Sequence, residues 1–211
     1  MKQRTSQILF AYWNDVRGGR LAPRRFEIEP SRIGAILAET FILECSAPEI
    51  ITYRLAGTRI CECFGTEFRG RNFLDGWSDA DRATLERHIA SMCSHGSTAV
   101  FDIVAETASG RAVAFELVLL PLLHTGEQAD RFLGAISAVA PPEWLGSEPL
   151  VTRRITHDEL VWPDGRPHAL LEKIHRQAPF IPQPRGSRIV RADRRQFRVY
   201  DGGLADTPDG K

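Results

Sequence analysis

Apolar residues recur at helical spacing, then strand spacing, then helical spacing again, and this order predicts most of the architecture. The run from Ile8 to Trp13 shares a helical face with Val16, and Gly18-Gly19 stops it. A second short helix follows in EPSRIGAILAET, with Pro30 near its start and Ile33, Ile36 and Leu37 in phase. From Phe41 the period changes to two. FILEC and ITYRLAG, parted by SAPE, predict a hairpin.

TRICECFG returns to helical spacing through Ile60, Cys61 and Phe64, with Thr58 as the expected N-cap and Gly65 as the stop. The clearest helix is SDADRATLERHIASMCSHG. Ser78 caps it, Asp79 and Asp81 complement its positive end, Leu85, Ile89, Met92 and Cys93 form its buried stripe, and Gly96 ends it. Three longer strands close the pattern: STAVFDIVAET, RAVAFELVLLPLL and RFLGAISAVAP, the second changing from alternating to continuously apolar. Two strands, helices and three strands together predict an α+β domain with an antiparallel sheet.

Composition adds limits. At 211 residues, 43% hydrophobic and 26% charged, the chain is long enough for one cored domain plus an appendage. No apolar run approaches the roughly 20 residues of a membrane span, and the first residues lack a signal peptide's apolar stretch, so the chain is read as cytoplasmic with no membrane partner. The formal charge is zero, but residues 1–149 carry 15 basic and 19 acidic groups and residues 150–211 carry 12 and 8, which makes the tail basic. Cys45, Cys61, Cys63 and Cys93 are expected to be reduced apolar fillers, since Cys61-Glu-Cys63 is not a zinc spacing and no second pair completes it; no metal site is expected.

The segment YRLAGTRICECFGTEFRGRNFLDGW, preceded by a YW helix and a GGRLAPRR…IEP connector and followed by an apolar last strand, resembles PAS domains. More closely it is similar to a bacterial family of short stand-alone PAS proteins, from about residue 10 to 145. The resemblance implies a five-stranded antiparallel sheet of order 2-1-5-4-3 with helices over one face. It divides the chain into an N-terminal helical extension (1–38), a PAS-like domain (39–145) and a linker with a basic, Pro/Arg-rich tail (146–211). A short helix is expected at PHALLEKIHRQ, and an arginine-rich strand or arm at RGSRIVRADRRQFRVYDGG.

The resemblance implies a sensory or docking role rather than chemistry, since one fold hosts many functions. Without a nucleophile elbow, a phosphate-loop lysine or an HExxH helix, the chain is read as non-enzymatic, with Glu106 and Glu116 taken as solvated strand positions. Phe68-Arg69-Gly70-Arg71-Asn72 lacks the glycines of a phosphate loop. In light-sensing relatives an adduct-forming cysteine follows the matching asparagine; Phe73 follows Asn72 here, so no covalent flavin adduct is expected, and non-covalent flavin binding is left as a weaker alternative. Haem is the alternative cofactor, through His88 on the long helix, and a partly exposed or structurally bonded histidine is the blander reading.

The expected pocket lining is Ile60, Phe64, Phe73, Leu74, Leu85, His88, Ile89, Phe101, Ile103, Phe115, Leu117 and Ile136, positions that serve equally as core. Leu9, Tyr12, Trp13 and Val16 give the first helix more apolar surface than a free helix keeps, so it packs on the sheet or on a second subunit; a homodimer and a signalling protein are the expected partners. The tail, with Phe197 and Tyr200 among its arginines, is a further candidate for an acidic partner. Interspersed acidic residues and the lack of a helix-turn-helix or zinc pattern place nucleic acid last.

Overall fold

The computed structural model describes residues 1–47 and 49–166, which lie in a compact unit spanning Met1–Ile174. The tail expectations, including Leu170, Leu171, Ile174, Phe197 and Tyr200, fall outside the described residues. Helix α1 (Arg4–Arg17) ends on Gly18 in the left-handed region, and Pro30–Glu39 forms 3₁₀ turns kinked at Ile33 rather than an α-helix. Then come β1 (Thr40–Ala47), β2 (Ile50–Ala56), α2 (Thr58–Phe64), α3 (Asp79–His95), β3 (Thr98–Thr107), β4 (Ala112–Leu123), β5 (Ala129–Ala138) and β6 (Leu150–Val161).

The sheet is antiparallel throughout, in the order β2-β1-β5-β4-β3-β6. The five expected strands are therefore present in the expected order, and a sixth extends them at the β3 edge. That strand was expected to belong to a linker and tail. Its sequence, LVTRRITHDELV, carries charges on both faces because one flank is open and much of it is exposed, so no apolar alternation marks it.

Both faces of the sheet are covered. Phe41, Leu43, Phe101, Leu117, Leu119, Phe132 and Ile136 point towards α2 and α3, whereas Ile42, Val100, Val118, Leu120, Leu122 and Leu133 meet α1 and the 3₁₀ turns. This explains the apolar run in β4, since a strand buried on two sides need not alternate. Pro121 is tolerated there because it lies beyond Leu119, the last β4 residue paired to β3.

Two expectations of detail change. The N-cap of α2 is Gly57, not Thr58, because a Cβ at residue 57 would collide with the Ala38 carbonyl. Glu116 is not a solvated group: it is 1% exposed and accepts hydrogen bonds from the backbone N–H groups of Lys2 (2.6 Å) and Gln3 (3.0 Å), anchoring the start of α1. Ser78 caps α3 as expected, accepting from the Asp81 N–H at 3.2 Å.

Candidate functional site

The segment between α2 and α3 is a set of turns clipped to the outer edge of β2. Gly70, at φ 84°, donates to the Tyr53 carbonyl (2.8 Å), Tyr53 donates to Arg71 (3.0 Å), and Phe73 donates to Ile51 (2.6 Å). Asn72 completes the clip: its side-chain oxygen accepts from Ile51 and Leu74, and its amide donates to the Glu49 carbonyl. These bonds direct Phe68, Phe73, Leu74 and Trp77 into the core, while Arg69 and Arg71 stay exposed.

The eleven apolar residues expected to line a pocket (Ile60, Phe64, Phe73, Leu74, Leu85, Ile89, Phe101, Ile103, Phe115, Leu117 and Ile136) all fall in one buried cluster between the sheet and α2–α3. Its centre is filled by aromatic side chains. Phe73 packs within 6.3 Å of the rings of Phe41, Tyr53 and Trp77, and Phe68 packs between Tyr53 and Phe64. Open space lies at the margins instead. One cleft of about 220 Å³ includes Ile60, Phe64, Phe115 and Ile136 with Glu39, Arg59 and Leu145. A second, of about 180 Å³, lies between the turn segment and the start of β6.

Arg153 of β6 dominates the second cleft. Its guanidinium carbon sits 4.7 Å from the Trp77 ring centre and about 6 Å from those of Phe64 and Phe68. One Nη donates to the Asp75 carbonyl. Among the described residues Nε, shut off from solvent, has no acceptor, and the equally buried Tyr53 hydroxyl has no hydrogen bond of good geometry. Burial pushes the Tyr53 pKa up to about 12 against the pull of Arg153, and burial lowers that of Arg153 against Tyr53 and Asp75. Sequence reasoning missed Arg153 and Tyr53; the period-two pattern of ITYRL points Tyr53 inward with Ile51, but nothing local marks Arg153.

His88 is 4% exposed, on α3. Its Nε2 meets Asp158 of β6 at 2.7 Å, its ring lies 5.1 Å from that of Phe101, and Nδ1 is buried without a partner among the described residues. Burial lowers its pKa, Asp158 opposes this and Arg87 adds to it. A neutral ring donating from Nε2 to Asp158 satisfies that geometry, whereas protonation would bury an unpaired Nδ1–H. Neither nitrogen is presented to an iron. The ring's neighbours Leu85, Ile89, Met92 and Phe101 leave no exposed surface above 4%, so haem does not fit there. Flavin does not fit the aromatic-filled centre either, and both marginal clefts fall below the roughly 300 Å³ at which pockets for drug-sized ligands begin.

On the opposite face Leu9 and Trp13 have no exposed surface and Tyr12 is 8% exposed, with Val16 packed beside them. Trp13 Nε1 donates to the Pro121 carbonyl at 2.7 Å. Of the two expected uses of this helix, packing on the chain's own sheet is the one in place. A mostly apolar cleft of about 520 Å³, lined by Ile28, Ile33, Leu37, Ile42, Leu55 and Leu133, flanks the 3₁₀ turns.

A family model described as "PAS domain" matches residues 1–137. The chain belongs to the PAS-domain family. Among solved structures, the Rhodobacter sphaeroides LOV protein is similar at 16% identity over 55% of this chain and 71% of that one, with a TM-score of 0.40. The PAS domain of an HTR-like protein from Haloarcula marismortui is similar at 23% identity over 55% and 95%, with a TM-score of 0.37. No curated protein matches the chain. PAS domains are generally sensory, no enzyme family is indicated, and no helix among the described residues is long and apolar enough to cross a membrane. The matched region of this PAS protein ends in β5, so β6, with Arg153 and Asp158, lies beyond it.

Proposed function

We propose that this PAS protein is a non-enzymatic regulator that binds a small molecule at the margin of its helix-covered core, or docks a signalling partner, and passes the signal on by protein contact. The observation that carries this reading is the family match over residues 1–137, joined to clefts that open beside the expected lining residues Ile60, Phe64, Phe115 and Ile136. The packed centre favours a compact ligand over a large cofactor.

Homodimerisation belongs to the same proposal. With Leu9, Tyr12 and Trp13 buried against the chain's own sheet, a dimer needs either exchange of α1 between subunits or another face. Light scattering on the full chain and on one lacking residues 1–17 separates these routes. The reading as a whole is tested by native mass spectrometry and quantitative capture with the untreated full chain. A non-covalent adduct released on denaturation, or a partner captured by the native but not the heat-denatured chain, is expected; neither appearing refutes it.

A further inference from the structure

Arg153 presents an unbalanced charge. A guanidinium carries five N–H donors and no acceptor, and is most stable opposite a carboxylate or phosphate. Among the described residues no carboxylate reaches ion-pair distance of it; its hydrogen-bond partner is the Asp75 carbonyl, and three aromatic rings supply the remaining compensation. Among the described residues Nε has no acceptor of good geometry, and the Tyr53 hydroxyl, on a side chain with no exposed surface, makes no hydrogen bond of good geometry either. The phenol oxygen beside Arg153 can accept from the guanidinium, but it is neutral and leaves the charge without a counter-ion.

The charged groups lining the same cleft are Arg153, Arg71 and Asp75, which leaves one surplus positive charge; Thr66 and Asn72 add polar contacts, and Phe64 and Phe68 add apolar wall. A cationic ligand would meet a cage already holding a cation. A neutral ligand could supply an acceptor but would leave the charge uncompensated. An acid supplies both.

We propose that the cleft between the turn segment and β6 is a receptor for a small organic acid, whose carboxylate is held by Arg153 and whose body lies against Phe64 and Phe68. The roughly 180 Å³ of space limits the occupant to one ring or a few carbons. Residue 153 lies beyond the family match, so the specificity belongs to this chain and not to the PAS fold in general. The proposal rests on the ligand-binding branch of the function proposed above.

The test is calorimetric titration of the full chain with sodium benzoate, sodium succinate and sodium butyrate, each beside its neutral amide. At least one acid is expected to bind saturably, and its amide at least about tenfold more weakly, the loss expected for a charge-assisted contact. Arg153→Gln should weaken that acid by a similar factor and Arg153→Lys by less, with circular dichroism confirming the fold. Arg32→Gln, which breaks a distant exposed ion pair, should leave binding unchanged. The proposal is overturned if the unsubstituted chain binds none of the three acids, if amide and acid bind equally, or if folded Arg153→Gln binds as well as the parent. A neutral adduct in native mass spectra beside such a result removes the acid class and leaves the sensory reading standing, whereas the absence of any adduct or partner removes that reading itself.

Discussion

Replacing Trp13 by alanine tests whether α1 is part of the folding unit. The indole has no exposed surface, stacks on Phe10 at 6.0 Å, lies under the Arg17 guanidinium at 5.5 Å and donates to the Pro121 carbonyl. Burying a large aromatic removes about 150–250 Å² from water, or about 4–6 kcal/mol at 25 cal/mol per Å² as an upper bound. Measured Trp→Ala losses in cores run at about 3–5 kcal/mol. Trp13→Phe keeps most of the apolar area but leaves the buried carbonyl without its donor, a loss of about 1–3 kcal/mol. Urea unfolding followed by circular dichroism should give this ranking, and at about 2–4 °C per kcal/mol for a chain of this size the alanine variant should melt on the order of 10 °C lower. If Trp13→Ala left stability within about 1 kcal/mol of the parent but turned a dimer into a monomer on light scattering, the reasoning would fail, because α1 would then pack on a second subunit.

Three further outcomes follow from single groups. Gly134→Ala would drive a Cβ into the ring of Phe41, which is fully buried and cannot retreat, so a loss of at least about 1–3 kcal/mol is expected in urea unfolding. Tyr53, with its pKa raised to about 12, binds its proton more tightly folded than unfolded; its contribution, about 3 kcal/mol, is complete below about pH 10 and is lost as pH rises through 12. From pH 9 into alkali the parent should therefore lose stability relative to Tyr53→Phe, whichever is the more stable at pH 9, and parallel curves would count against it. For His88, whose pKa is lowered, the unfolded state takes up protons first; stability is complete above the unfolded value near 6.5 and falls as pH drops below it. His88→Gln should flatten that acid limb, and an NMR titration of His88 with a midpoint above 6.5 would refute the sign.

The sequence was most legible where short apolar or alternating runs are bounded by turn residues. Such runs predict β1, β2, β3 and β5, although Ile42, Val100 and Leu133 are buried on the sheet's second face, and the Ser78 cap and Gly96 stop bounded α3 within a residue. Chemistry-bearing contacts were less legible because they join residues far apart in the chain. His88 was visible as an inward candidate, but its hydrogen-bond partner Asp158 lies seventy positions away. Arg153 read as one charge in a basic tail, although its side chain sits among three rings contributed by the turn segment and α2. Local periodicity says that a strand has an open flank and says nothing about what its other residues reach.

That long-range reach is concentrated in β6. From this one strand Arg153 enters the aromatic cage, Ile155 and Leu160 pack on the helix-side core and Asp158 holds His88 of α3. Three residues past its end, Asp164 pairs with Arg17 of α1 at 2.6 Å, on the sheet's other face. In each pair the buried member, His88 or Arg17, meets a more exposed aspartate, so removing the aspartate leaves a polar group unpaired away from water. One strand and the turn after it thus tie His88 of α3 and Arg17 of α1 to the same sheet edge, so a substitution that displaced β6 would be felt on both faces of the sheet.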